Sequence, residues 1–214
     1  MKVLGDRAGA ILRGRPTAGS WGIVLACGLA YGAVMGLFGG RAGQVAYSAV
    51  KVPLLLLATL LLSLPSYFVL NTLFGLRDDF AAAWRAVVAS QAGLTIILLA
   101  LAPLTAFWYA SFADYRLAIL FNAMMFGAAS LGAQGILRRG YQPLIDRDPR
   151  HRLLLRVWIF LYAFVGIQMG WNLRPFVGSP DQPVRFFREG PWENAYVAVA
   201  QVMWEAVARR PSGR

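Results

Sequence analysis

The side chains of this sequence best placed to do chemistry inside an apolar stretch are amides. In "GIQMGWNLRPFVGSP", residues 166 to 180, Gln168 and Asn172 stand four apart and so share one helical face. Trp171 lies between them and Arg174 follows. Asn71, Asn122 and Gln134 occupy other apolar runs. An amide in such surroundings bonds across to a neighbouring helix, a contact worth roughly 0.6–2 kcal/mol. Several amides together could instead line a polar path for a solute. Interhelical hydrogen bonding is the plainer expectation for all five.

Ionisable chemistry is scarcer still. No expected span interior holds Asp, Glu, Lys or His, whereas ion-coupled transporters and proton relays generally need such a group. The acids show no metal-binding or nucleophile–base spacing. Asp146 and Asp148 flank Arg147 ahead of a proline and read as a solvated turn; Arg185, Arg188, Glu189 and Glu193 read as a charged rim. One cysteine (Cys27) and one histidine (His151) rule out an internal disulfide and a haem held by two histidines. They also leave too few ligands for a zinc site of the Cys/His kind. No catalytic residue, metal or cofactor is expected.

The elements that must carry these residues are set by composition. Of 214 residues, 58% are hydrophobic and 14% charged, against about 25% charged in soluble domains. Mean hydropathy is +0.53. Several runs approach the ~20 apolar residues that cross a ~30 Å hydrocarbon core. The expected fold is all-α: a polytopic transmembrane helical bundle of five spans plus a C-terminal amphipathic interfacial helix. Segments of alternating polarity that would build a barrel are missing from the sequence.

The spans are expected at Trp21–Gly39, Val52–Leu76, Ala92–Phe112, Leu117–Leu137 and Leu153–Leu173. Ser20 is the expected N-cap of the first, and Pro65 and Pro103 are expected to kink the second and third. Asp78 or Asp79 is expected to cap a short amphipathic lead-in to the third, and residues 138–152 to form a charged loop. Residues 1–20 make a basic N-terminus, residues 21–174 the bundle and residues 175–214 a tail. The first apolar run exceeds an ordinary signal-peptide core and lacks a small-x-small cleavage site, so it reads as a retained span. The fifth, at 21 residues, rises about 31 Å. Arg174 therefore falls at the interface, where with Trp171 it anchors the helix exit, since a residue before proline leaves helical geometry.

In the tail, Trp192, Tyr196, Val199 and Met203 share one face of an amphipathic helix over 191–209. Trp192 is its expected interface anchor. A sixth span there would set Glu205 near mid-membrane at a cost of roughly 2.5–3.5 kcal/mol; an interfacial helix is favoured.

The formal charge of +11 sits in the loops and follows topology, not a nucleic-acid surface. Lys2, Arg7, Arg13, Arg15, Arg77, Arg85, Arg138, Arg139, Arg147, Arg150, Arg152 and Arg156 fall on the N-terminal side; only Arg41, Lys51 and Arg116 lie in the opposite short loops. This bias puts the N-terminus in the cytoplasm and the C-terminus outside, in a bacterial inner membrane.

Gly28, Gly32, Gly36 and Gly40 recur every fourth residue, a face that lets another helix approach closely. Packing within the chain, with Gly127, Gly132, Gly135, Gly166 and Gly170 as candidate mates, is the first expectation; a homo-oligomer or partner membrane protein is the second. "PSYFVLNTLFG", residues 65 to 75, in a proline-bearing span ahead of the lead-in, resembles bacterial members of the Yip-type membrane protein group over about residues 50 to 175. That resemblance implies a compact bundle with a role in membrane organisation and no catalysis, and it transfers no site residues. The function expected is a non-enzymatic accessory or scaffolding protein contacting membrane lipids and another membrane protein or itself. The alternative is a small-molecule or lipid transporter or channel.

Overall fold

The computed structural model describes residues 2–17, 19–173, 184 and 186. Arg174, Trp192 and the expected helix over 191–209 lie outside the described residues. Among the described residues six α-helices follow one another: α1 (Lys2–Leu12), α2 (Ser20–Gly36), α3 (Ala42–Leu73), α4 (Phe80–Ser111), α5 (Tyr115–Arg147) and α6 (Arg150–Leu173). A single 3-10 turn, Arg77–Asp79, leads into α4.

Among the described residues four stretches are long and apolar enough to cross a membrane: Ala42–Leu73, Arg77–Ser111, Leu117–Arg147 and Arg150–Leu173. Ser20–Gly36 is shorter, at 17 residues, or about 26 Å of rise. It stops before Gly39 because Gly39 and Gly40 take φ of 80° and 65°, which ends a right-handed helix. Gly40 thus lies beyond the glycine stripe. Leu61, Leu62, Leu73, Phe107, Leu131 and Phe160 stand exposed around the bundle, the surface that acyl chains would cover.

Four expected loops or caps turn out otherwise. Residues 42–51 are helical and lengthen α3 well beyond the apolar run, so Lys51 lies within a helix, 5% exposed, with Nζ 5.3 Å over the Phe186 ring. Residues 138–147 continue α5 through Pro143 in place of the charged loop. Ser20 is not the N-cap. Gly19 holds that position at φ 90°, and the Ser20 hydroxyl accepts from Thr17 N–H and donates to Thr17 C=O. Asp79 precedes α4 without capping it; its carboxylate has other partners, described below. Asp114, by contrast, caps α5 by accepting from Leu117 N–H at 2.9 Å.

Glycine spacing explains how α2 docks. A Cβ on Gly28 would meet Pro53 Cβ at 3.3 Å, one on Gly32 would meet Ala49 Cα at 2.8 Å, and one on Gly36 would meet Val45 Cα at 2.6 Å. Each four-residue step along α2 matches a four-residue step back along α3, so the two backbones run antiparallel in near contact. The mate of the glycine face is therefore α3 of the same chain, chosen not for its own glycines but for a backbone at the right height. Gln44 secures the turn between them by donating to Phe38 C=O at 3.2 Å. One core cluster sets Tyr31, Met35, Val52 and Leu56 against Leu94 and Leu98, and another joins Leu60 and Tyr67 to Val87, Leu137, Tyr141 and Trp158. α4 packs along α5 and α2, and α6 packs mainly on α3 and meets α5 less extensively.

Gly32→Ala should destabilise the protein by about 1–3 kcal/mol, because the added methyl meets backbone that must shift. Gly22→Ala, where a Cβ meets nothing within 4 Å, should be neutral or stabilising by up to about 1 kcal/mol. Thermal unfolding of the two variants in one detergent checks the contrast.

Candidate functional site

Because α6 packs on α3 and only partly on α5, a cavity of about 760 Å³ opens between them. Leu55, Leu56 and Thr59 of α3 and Val87, Ser90, Gln91 and Leu94 of α4 form its floor; Tyr115 to Leu137 of α5 and Trp158 to Trp171 of α6 supply its walls. Along α6 the lining covers about 20 Å at 1.5 Å per residue. The volume lies in the range of small-molecule sites, as does the mixture of apolar walls with a few polar atoms.

The lining polar groups differ in how far the protein satisfies them. The Thr59 hydroxyl donates to Leu55 C=O at 2.7 Å and the Ser90 hydroxyl to Val87 C=O at 2.8 Å. Gln91 Nε2 donates to the Tyr162 hydroxyl at 2.5 Å, but its Oε1, also buried, has no partner among the described residues. No Asp, Glu, Lys, Arg, His or Cys is among the described residues lining the groove.

At one end the groove is lined by Trp158, 2% exposed, whose ring lies 4.3 Å from that of Tyr67. Behind it runs a buried polar seam that the sequence reading did not anticipate. Tyr67 and Tyr141 share a hydroxyl–hydroxyl hydrogen bond. The Tyr141 ring meets His151 edge-on with centroids 6.0 Å apart. His151, fully buried, donates from Nε2 to Asp79 Oδ2 at 3.1 Å, and Asp79 Oδ1 accepts from exposed Arg147 at 3.0 Å. His151 Nδ1 and Asn71 Oδ1 have no partner among the described residues. The seam joins α3, the 3-10 turn, α5 and α6, which explains why residues 138–147 stay helical: their inward face has side chains to meet.

Next to the seam, Asp148 accepts from Arg150 N–H and from its guanidinium, closing the α5–α6 turn. These bonds, the guanidinium first, hold the Asp148 carboxyl below the usual carboxylate range. The contribution is therefore present above the ordinary carboxylate pKa and is lost as pH falls through the lowered one. Asp146 belongs to α5, accepting from Gln142 Nε2 at 2.8 Å, and is not part of a turn.

The five amides do not converge on one path. Gln134 lines the groove. Asn122 is buried and exchanges hydrogen bonds with the Tyr109 hydroxyl at 2.9 and 2.7 Å. Asn71 donates to Tyr67 C=O at 2.8 Å, within its own helix. Gln168 donates to Asn172 Oδ1 at 3.3 Å, also along one helix. Trp171 lines the end of the groove opposite Trp158. The residues missed were those whose partners are distant in sequence: Gln91 with Tyr162, Tyr67 with Tyr141, and Asp79 with His151. The only local hints were an isolated glutamine in an apolar run and the sole histidine beside a charged stretch.

No protein-family model, curated protein or solved structure matches the chain.

Asp79→Ala, which strands a fully buried imidazole, should cost roughly 1–3 kcal/mol. Arg147→Ala, which removes an exposed partner, should cost under about 1 kcal/mol. Equilibrium unfolding of both variants in the same detergent measures the difference.

Proposed function

We propose that this chain is a non-enzymatic membrane protein that binds a neutral amphiphile in the α3–α6 groove, as the receiving half of a lipid or small-molecule transport step. The observation that carries the proposal is the groove of about 760 Å³ between α3 and α6, with apolar walls and few polar lining residues, Gln134 and Ser130 among them. An apolar body would fill the walls and a polar head would meet half-buried Gln134. Absence of charge along the described lining favours a neutral ligand, because a charged one would enter without a counterion. The groove's length of about 20 Å exceeds the ~15 Å of one leaflet's hydrocarbon, enough for an acyl chain.

In this reading α2 is a fifth, short span and the arginine-rich end faces the cytoplasm, as the distribution of basic residues favours. Loading is then from the outer half of the membrane, with Trp158 on Tyr67 blocking the inner end. A scaffolding role finds less support, since the glycine face that would have served a partner is covered by α3.

A photoactivatable diacylglycerol incorporated in vesicles is the test. A Cβ on Gly127 or Gly170 meets nothing within 4 Å, and both residues line the groove. The double variant Gly127→Phe/Gly170→Phe should keep its thermal stability and lose at least tenfold in photolabelling. Gly22→Phe, outside the groove, should label like the unaltered protein. Equal labelling of all three would overturn the assignment.

A further inference from the structure

At the N-terminal end of the bundle three elements cross at almost no distance. A Cβ on Gly14, which has φ 82°, would lie 2.7 Å from Gly140 N, and a Cβ on Gly140 would lie 2.9 Å from Ala86 Cβ. Ile11, fully buried with Val24 and Ala92, seats α1 beside the crossing. The neighbours of the crossing residues in sequence are arginines: Arg13 and Arg15 around Gly14, Arg138 and Arg139 before Gly140, and Arg85 before Ala86. All five are exposed. Arg139 donates to Leu12 C=O at 3.3 Å, which clips the α1 end to α5.

No ion pair to any of these five guanidiniums occurs among the described residues, where acids pair only with Arg147, Arg150 and His151. The acid of α1, Asp6, stands about two turns from Arg13. Like charges carried on the three crossing segments repel, and an anion among them relieves the repulsion.

Height in the membrane indicates which anion. Trp84, next to Arg85, pairs with Trp21 at the start of α2, their ring centroids 6.3 Å apart. Paired tryptophans at helix ends sit at headgroup level. The guanidiniums therefore lie level with lipid phosphates, and the planar fork of arginine suits two phosphate oxygens at once. We infer that the Gly14–Gly140–Ala86 crossing forms a headgroup site for an anionic phospholipid of the adjoining leaflet. This site stands apart from the groove, and its test is independent of the groove's occupant.

The experiment titrates the full chain in neutral detergent with phosphatidylglycerol and with phosphatidylcholine, counting bound lipid by native mass spectrometry. The unaltered protein should prefer phosphatidylglycerol. Arg13→Gln/Arg15→Gln/Arg138→Gln should weaken phosphatidylglycerol at least tenfold. Arg77→Gln/Arg152→Gln/Arg156→Gln removes the same charge from exposed positions that do not adjoin the crossing residues in sequence, and should change it less than twofold. Gly140→Leu keeps every charge but forces the crossing apart, and should lose the preference as well. If the two triple variants weaken binding alike, or Gly140→Leu binds as tightly as the unaltered protein, diffuse charge is responsible and the site is refuted. Should Gly140→Leu fail to fold, the comparison of the triples, all at exposed positions, still decides.

Discussion

An apolar slab offers a polar atom no water, so each donor and acceptor within it has to find its partner on the protein. The side chains of the long helices obey this closely. Thr59, Ser63 and Thr105 each return a hydroxyl to the carbonyl four residues back, and Asn71 does the same with its amide. These bonds hold polar side chains against their own helix and leave the surfaces between helices to shape. Against that background an unsatisfied atom stands out: among the described residues Gln91 holds one at the groove floor, and His151 and Asn71 hold two in the seam.

The bundle is fastened by different means in different parts. Between α2 and α3 the fastening is steric, with glycines removing every atom that would hold the backbones apart. At the ends of α3, α5 and α6 it is polar, through Tyr67, Tyr141, His151 and Asp79. Without a hydrophobic drive between helices in lipid, close contact and hydrogen bonds are the means left. Between α5 and α6 neither device operates along most of their length, and there the cavity opens. Trp158 belongs to both regions, facing the groove on one side and Tyr67 on the other.

Much of the helical content was legible because crossing hydrocarbon demands long uninterrupted apolar runs, and such runs cannot be hidden in a sequence. Helix ends were not. Hydropathy falls where the slab ends, but α3 begins ten residues earlier, at Ala42, and α5 continues ten residues later, to Arg147. The extra turns are held by Gln44 on one and by the tyrosine–histidine seam on the other, long-range contacts without local trace. The glycine stripe was visible as spacing, yet its mate was sought among other glycines. Val45, Ala49 and Pro53 serve because only their backbone position matters. The groove was hidden for a related reason: a void is a property of how helices diverge, and Gln91 and Tyr162 acquire meaning only once α4 and α6 face each other.

One ambiguity is built into a motif that repeats every four residues. Sliding α2 past α3 by a single helical turn would superimpose glycine on glycine, leaving two of the three close approaches nearly as good as before. Packing alone therefore distinguishes poorly between neighbouring docked arrangements. The connection from Leu37 to Arg41 removes the degeneracy: five residues, two of them left-handed glycines, with Gln44 tied to Phe38 C=O, have no slack for another turn. Hairpin geometry, and not the groove's chemistry, is what selects one alignment out of a periodic set.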